Sequence, residues 1–446
     1  MTTDSPITAI VGGGIAGLSA AWSLQQAGHA CVVLEAESRW GGMIDSERVQ
    51  GFLVEGGPDS FLAAKPAAVE LCRELGLEAD LIATGPQPGG PRLLHLRQLL
   101  PLPPGWRLLA PTRLAPVLRS PLFSPAVKAA LALRWPWSNT APHDNETVAA
   151  YLERRFGRHV GQAFVATVVQ PLLAGVYGGR ADELSAALMA PPPPRPGAAP
   201  GGSVFLSLRH GMASLAERLA DRLAPRLRPS CPVRALTASA KGFRLHCEGG
   251  AALDAHSVIL AVPAWRAAQL LQDFDAGLAI PLSEIPYTSS VNVNLAYRTA
   301  PPLPPGHGFL AGDESGLLAC TFAHQKFAHR APAGGALLRL FYGAALAQAN
   351  DAVIAAHARA DLASTLGVAD PPDFLRLRRC RRAMPEYTVG HRERMQRVSA
   401  ALGQHPHLAL AGNAYSGVGV PDCIASGVAA AAKIAAALGQ NQTCYG

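Results

Sequence analysis

Three glycines and one acid carry the most specific chemistry in this 446-residue chain. Gly12, Gly14 and Gly17 stand in the spacing GxGxxG inside ITAIVGGGIAGLSAAWSLQQAGHACVVLEAES. Gly12 permits a tight turn, Gly14 lets backbone amides approach a pyrophosphate, and Gly17 lets a helix pack close to a strand. Gly13, Ile15 and Ala16 complete a turn whose amides face the positive end of that helix, a natural phosphate seat. Glu35 follows about twenty residues on and, with Ala36 beside it, is placed to accept hydrogen bonds from an adenosine ribose. A second concentration of glycine lies near the other end, in AGNAYSGVGVPDCIASG, with glycines at 412, 417, 419 and 427. Glycine costs conformational entropy on folding, so this run implies that something approaches the backbone closely.

The elements that must position these residues can be read around them. Ile7 to Val11 reads as a buried strand, Leu18 to Gln26 as a helix closed by Gly28, and Cys31 to Leu34 as a second strand. Asn145 to Phe156 is an amphipathic helix with Asn145 or Thr147 near its cap, and Gly211 to Leu223 is another. Ala163 to Tyr177 is apolar and interrupted by Pro171. CPVRAL, FRLHCE and SVILAVPA read as strands, and residues 286 to 345 alternate in strand fashion. RLRRCRR (376–382) reads as a strand edge with a solvated face, with a carboxylate-binding patch as the alternative. Pro191 to Gly202 is a breaker, expected to be a linker or mobile loop. Pro421 suits the first turn of a closing helix, whose N-terminus would offer dipole and free amides to a ligand.

Composition narrows the class. Apolar residues make up 49% of the chain and charged residues 16%. No apolar run approaches the roughly 18–20 residues of a membrane span, and no signal peptide is expected at the N-terminus. Eight cysteines show no CxxC pair, which suggests reduced thiols used as small hydrophobes in a reducing compartment. The histidines form no metal-binding constellation, and His307, His324 and His391 read as structural or surface groups. The formal charge is +7. Between Asp80 and Asp144 there is no acid, while Arg92, Arg97, Arg107, Arg113, Arg119, Lys128 and Arg134 all fall there. Trp106, Trp135, Trp137 and many leucines accompany them, which fits an anionic bilayer surface better than nucleic acid. A helical subdomain with a solvated basic rim is the plainer alternative.

Arg39-Trp40-Gly41-Gly42 and Glu55-Gly56-Gly57-Pro58-Asp59-Ser60-Phe61 extend the front motif. The pattern ExxxRxGG resembles FAD-dependent amine oxidase-like flavoproteins. That resemblance implies an α/β chain with an α+β insert: a Rossmann-like FAD-binding domain, a β-sheet substrate domain and a helical, membrane-facing subdomain. The implied partition is 1–90, 225–275 and 385–446 for FAD, 91–205 for the helical unit, and 206–224 with 276–384 for substrate. It further implies non-covalent FAD, with Arg39, Gly41 and Gly42 at the diphosphate and Gly57, Pro58, Asp59 and Ser60 along the flavin. Val233 would set its backbone against the adenine. Gly412 and Asn413 would end a strand beneath the flavin, and Val418, Gly419 and Val420 would lie flat against its ring.

Four stretches narrow the resemblance: GPDSF (57–61), AGVYGGRADELS (174–185), RRAMPEYTVGH (381–391) and GNAYSGVGVPDCI (412–424). Together they are similar to the oxygen-dependent protoporphyrinogen oxidases of haem synthesis, over nearly the whole chain. The departures are Glu386 where the family has Gln, Arg382-Ala383-Met384 where an aromatic opens the segment, Tyr177-Gly178-Gly179-Arg180, and Met43 after the diglycine. The implied activity is six-electron oxidation of protoporphyrinogen IX to protoporphyrin IX, with O2 as acceptor and three H2O2 formed. Coproporphyrinogen III is the alternative substrate, and an amine oxidase or carotenoid desaturase a more distant one. The flavin would carry the chemistry, so no catalytic acid–base residue is expected. By position, Arg92 matches an arginine that pairs with a propionate, and Gly175 a glycine whose carbonyl accepts pyrrole N–H bonds. The expected setting is cytoplasmic, peripheral on the inner face of the cell membrane, with product handed to ferrochelatase. An oligomer is compatible; nucleic acid and metal are not expected.

Overall fold

The computed structural model describes residues 6–88, 90–137, 140–190, 203–312 and 316–443. The expected linker at 191–202 lies outside the described residues. A five-stranded parallel sheet forms the base, in the order Leu227–Arg228, Ala30–Leu34, Ile7–Val11, Ser257–Leu260, Leu408–Leu410. Its strands therefore come from the start, the middle and the end of the chain. The central strand carries Ala9 and Ile10 at 0% exposure on opposite faces, because both faces of a parallel sheet are covered.

The first helix, Ile15–Gln26, begins three residues before the sequence pattern suggested. Its residues Ile15 to Trp22 and Leu24 are all buried, so it has no polar face to keep outside. The closing helix, Val420–Thr443, crosses it. Gly427 sits at that crossing: a Cβ there would stand 2.2 Å from the Ala16 carbonyl oxygen. The last glycine of the tail is thus a helix-crossing residue. Helix Ala213–Leu223 also joins this core through Leu215, Ala216, Leu219 and Leu223.

A seven-stranded mixed sheet forms the second layer, ordered Phe374–Pro385, Tyr287–Tyr297, Ala336–Tyr342, Leu317–Phe322, Gly308–Leu310, Arg92–His95, Gln98–Pro101. The arginine-rich segment is its edge strand, as the pattern suggested. Arg376 pairs with Glu47 at 3.1 Å, Arg378 with Asp45 at 3.4 Å and Arg379 with Asp351 at 2.5 Å. Carboxylates of this chain thus already occupy three of the five arginines in that segment. Helix Asp351–Leu366 packs on the sheet through Ile354, Ala358 and Leu362, between an Asn350 cap and a left-handed Gly367.

The third unit is helical. Its helices include Leu114–Arg119, Pro125–Arg134 and Val148–Phe156, the last capped by Thr147, whose hydroxyl accepts from the Ala150 amide at 3.2 Å. Trp106, Phe123, Phe156 and Phe164 pack as a ring cluster with centroids 5.0 to 6.0 Å apart. Pro171 does not break the apolar segment. Residues 158–177 run on as α-helix, a π turn at Val165–Val169, and α-helix again. The wider π turn ends two residues before the proline, whose missing N–H leaves a gap in the ordinary hydrogen-bond ladder. This rod and the window Val420–Gly439 are each 20 residues long and apolar enough to cross a membrane by length and composition. That corrects the expectation that no segment approaches such a length. Each packs one side into a core, as core helices do.

Candidate functional site

The first helix ends in a seat for an anion. Gly14 is its N-cap and has no side chain to cap it, and no acid lies in its first turn. A buried helix end without a cap leaves amide donors to be satisfied by something else. Gly12 has φ +108°, and a Cβ there would meet the Ala261 carbonyl oxygen at 2.4 Å. At Gly17 a Cβ would lie 2.0 Å from the Gly12 carbonyl oxygen. Over Gly14 the space is open, with only the Gly42 Cα reached, at 3.9 Å. Gly41 pairs with Gly14 in an isolated bridge, and the Gly41 amide donates to the Gly13 carbonyl at 2.9 Å. The two glycine loops therefore close one cradle, with Ile15 and Ala16 in the first turn. The Glu35 carboxylate stands at the end of the second strand and accepts from the Gly13 amide at 2.6 Å and the Glu37 amide at 2.8 Å. Ala36 beside it is exposed. Arg39 spends its guanidinium on the loop itself, donating to the carbonyls of Gly42 at 2.5 Å and Ile44 at 3.0 Å. Its role here is to shape the diglycine.

The segment Gly57, Pro58, Asp59, Ser60 lies between this domain and the mixed sheet. Gly57 packs over Met43, whose carbonyl oxygen would be 1.7 Å from any Cβ. The Asn292 amide donates to the Gly56 carbonyl at 2.6 Å, and Arg339 donates to the Gly57 carbonyl at 2.5 Å. Asp59 accepts from Lys326 at 3.0 Å and from Ser60 at 2.7 Å, with Arg339 3.6 Å away. Burial opposes its charge, yet Lys326 and Arg339 hold its carboxyl well below the usual carboxylate range. Glu55 is 2% exposed and faces Arg330 at 3.6 Å. Burial dominates there and raises its pKa, although Ser46 and Arg330 oppose the rise. Two buried arginines and the half-buried Lys326 thus face the buried Glu55 and the half-buried Asp59 under the segment expected to follow the flavin.

Tyr387 organises the tail. Its hydroxyl donates to the Asn413 carbonyl at 2.7 Å and accepts from the Gly417 amide at 2.7 Å. The Asn413 side chain donates to the Ala383 carbonyl at 3.0 Å, and the Gly412 amide donates to Ser426 at 3.1 Å. Gly412 has φ +135°, and a Cβ there would reach only the Val262 carbonyl oxygen, at 4.0 Å. Val418 packs against the helical unit and Val420 enters the core of the first domain, with Gly419 between them. Asp422 takes the Gly419 amide at 3.0 Å and pairs with Lys65 at 2.6 Å. Asp422 thus takes one amide at the start of the closing helix and adds a negative charge to its first turn. Tyr415 buries a hydroxyl with no partner among the described residues.

The two substrate candidates stand on neighbouring elements. Arg92 opens a strand of the mixed sheet and is half-buried, and its side chain makes no hydrogen bond or ion pair to another described residue. Gly175 lies in helix Gln170–Tyr177, which packs on the adjacent strands, its Cα facing Leu310. The Gly178 amide turns back to Leu173 and Ala174, which leaves the Gly175 carbonyl without an intrahelical partner. Val233 is buried at the start of a three-stranded antiparallel sheet, and its carbonyl accepts from Arg266 at 2.8 Å. His307 contacts the Gly85 carbonyl at 2.9 Å, and His324 accepts from the Leu337 amide at 3.2 Å. His391 is buried and stacked on Tyr387 at 4.2 Å. Sequence reading missed Lys65, Lys326, Arg339 and Asn292. The available signal was a polar residue inside an otherwise apolar strand, as in VNVNLAY and LLRLFY.

Comparison with known proteins fits this geometry. The model of flavin-containing amine oxidoreductases matches residues 15–435. The chain belongs to the flavin-containing amine oxidoreductase family. A member from Propionibacterium freudenreichii named coproporphyrinogen III oxidase is 32% identical, covering 93% of this chain and 88% of that protein. One of the same name from Bacillus subtilis is 31% identical over 94% of this chain and 96% of its own. The Bos taurus protein named protoporphyrinogen oxidase is 29% identical over 95% of this chain and 97% of its own. Among solved structures, one from an Exiguobacterium species under the provisional name protoporphyrinogen oxidase superposes with TM-score 0.84 at 31% identity, covering 97% and 99% of the two chains. Cyclohexylamine oxidase from Brevibacterium oxydans shares the fold alone, with TM-score 0.71 at 18% identity and 98% and 100% coverage. The cofactor of this amine oxidoreductase is FAD, and the uncapped first helix with its glycine cradle fits the diphosphate.

Proposed function

We propose that this flavoenzyme oxidises a porphyrinogen to the porphyrin, protoporphyrinogen IX to protoporphyrin IX, with O2 as terminal acceptor. The observation that carries the reading is the juxtaposition of the FAD cradle with the Tyr387-braced glycine tail, in a chain whose relatives bear porphyrinogen oxidase names. Bound FAD supplies the two-electron acceptor. The residues from Gly12 to Gly17, Gly41 and Gly42 hold its diphosphate, Glu35 its ribose, and Val233 borders its adenine. Gly57, Pro58, Asp59, Ser60, Gly412, Asn413, Val418, Gly419 and Val420 border its ring. The mixed sheet and the helical unit exclude water from the substrate, while Arg92 grips a propionate and the Gly175 carbonyl receives a pyrrole N–H. Oxidation to an aromatic porphyrin is intrinsically favourable, so orientation is the protein's main task.

Coproporphyrinogen III is the second reading, favoured by the names of the relatives at 31 and 32% identity. A fluorimetric comparison of the two porphyrinogens, with oxygen and peroxide followed in parallel, tests both. Preference for the four-propionate substrate by tenfold or more in kcat/KM would replace the first reading, and absence of porphyrin from either would end both.

The membrane reading has its own support. Leu96 is 84% exposed at a hairpin tip beside Arg97, and Leu133 is 74% exposed beside Arg134. Apolar tips among cations suit a peripheral seat on anionic lipid, from which the product would pass to ferrochelatase. Co-sedimentation with phosphatidylglycerol vesicles but not phosphatidylcholine vesicles is the expected result. Equal recovery with both lipids would remove the proposal.

A further inference from the structure

We propose that Cys231 and Cys247 are an oxidation site, a dithiol that hydrogen peroxide closes into a reversible disulfide beside the adenosine half of the cofactor cradle. The two sulfurs stand 3.4 Å apart. Among the described residues this is the thiol–thiol contact; the other described cysteines are free without such a neighbour. A disulfide needs about 2.05 Å between sulfurs, so about 1.4 Å must close, within reach of a side-chain rotation.

The backbone already holds the pair together. Cys247 ends strand Gly242–Cys247 and lies opposite Val233, two residues beyond Cys231. The Glu248 amide donates to the Pro232 carbonyl at 2.9 Å. The ladder is irregular between Val233 and Ala235, and such a bulge gives the strand local slack. Access is unequal. Cys231 is half-buried and Cys247 is 9% exposed. Burial, with help from the Cys231 contact, pushes the Cys247 thiol up to about 11, so peroxide meets Cys231 first.

The step balances. The Cys231 sulfur takes one oxygen from peroxide as the O–O bond breaks, giving a sulfenic acid and one water. The Cys247 sulfur then displaces that hydroxyl as a second water and the S–S bond forms. Two thiols lose two protons and two electrons, and one peroxide becomes two waters.

The position gives the bond a consequence. The Cys231 amide donates to the Glu35 carbonyl at 2.7 Å, and the Ser230 amide to the Glu37 carbonyl at 3.0 Å. Glu35 is also the residue whose carboxylate holds the Gly13 amide. The bond staples this strap to the antiparallel sheet and fixes the acid against the glycine turn. The proposal goes beyond the reading of the substrate and needs no porphyrinogen.

The test treats the FAD-loaded protein with a few equivalents of hydrogen peroxide and weighs it intact. The expected result is a loss of about 2 Da, reversed by dithiothreitol and absent in Cys231→Ser. Trypsin leaves the two cysteines on different peptides, which should appear linked. In Cys247→Ser the oxidised Cys231 should be trapped by dimedone. Overturning results are oxygen adducts without a link, a link between other cysteines, or unchanged free thiols. Turnover assays on the same samples report on the substrate reading separately.

Discussion

Gly427 tests how the two terminal helices share one cofactor. Replacing it with alanine puts a Cβ 2.2 Å from the Ala16 carbonyl oxygen, 3.1 Å from the Ala16 carbonyl carbon and 3.2 Å from the Ala20 amide nitrogen. All three are backbone atoms of a buried helix, so no side chain can swing away. Ordinary contact begins at about 3.4 Å, so the helices must part by about 1.2 Å; overpacking of this kind costs about 3 kcal/mol at its upper end. Alanine gains about 1 kcal/mol over glycine in helix propensity, which leaves a net loss of about 2 kcal/mol. Gly439 in the same helix has nothing within 4 Å of its would-be Cβ. There the same substitution keeps the gain, discounted near the helix end to about 0.5–1 kcal/mol. Denaturation midpoints should therefore order as Gly439→Ala above the parent and Gly427→Ala below it, with about 2.5–3 kcal/mol between the variants. Ala16 belongs to the first turn over the expected diphosphate, so Gly427→Ala should also weaken FAD binding by about tenfold or more, measured by flavin fluorescence. If both variants match in midpoint and FAD affinity, the close crossing is not what Gly427 provides.

Other consequences can be measured directly. Tyr387→Phe orphans the Gly417 amide and the Asn413 carbonyl; a loss of about 1–3 kcal/mol is expected, with faster hydrogen exchange confined to residues 412–419. His391 is 2% exposed, and burial first, then Arg394, lowers its pKa to about 4. Its lowered folded pKa means that its contribution is complete above the ordinary value of 6.5 and fades as pH falls from there to about 4. Stability should drop by about 1.4 kcal/mol per pH unit across that window, and His391→Phe, which keeps a ring against Tyr387, should flatten the slope in urea titrations. Arg92→Ala should raise KM for the porphyrinogen by roughly 10- to 100-fold with little change in kcat, and Arg92→Lys by less; steady-state kinetics with unchanged KM would remove the propionate contact.

The sequence by itself determined the cradle. GxGxxG, Glu35 and the diglycine at 41 and 42 encode their geometry locally, because a glycine's conformational freedom is a property of the residue. Strands Ile7–Val11 and Tyr287–Tyr297 and the capped helix at 148–156 were legible from apolar patterning for the same reason. Tertiary structure decided what depends on partners distant in the chain. Pro171 reads as a breaker, yet it falls in the first turn of Gln170–Tyr177, just after the π turn. The Arg39 guanidinium turns to the 42–44 loop and Asp422 takes the Gly419 amide, choices fixed by which groups folding brings within 3 Å. Lys326, Arg339 and Asn292 join residues 56–59 across more than 200 positions of sequence. No local pattern could show that, because electrostatic and hydrogen-bond energies depend on distance in space, and only the fold sets that distance.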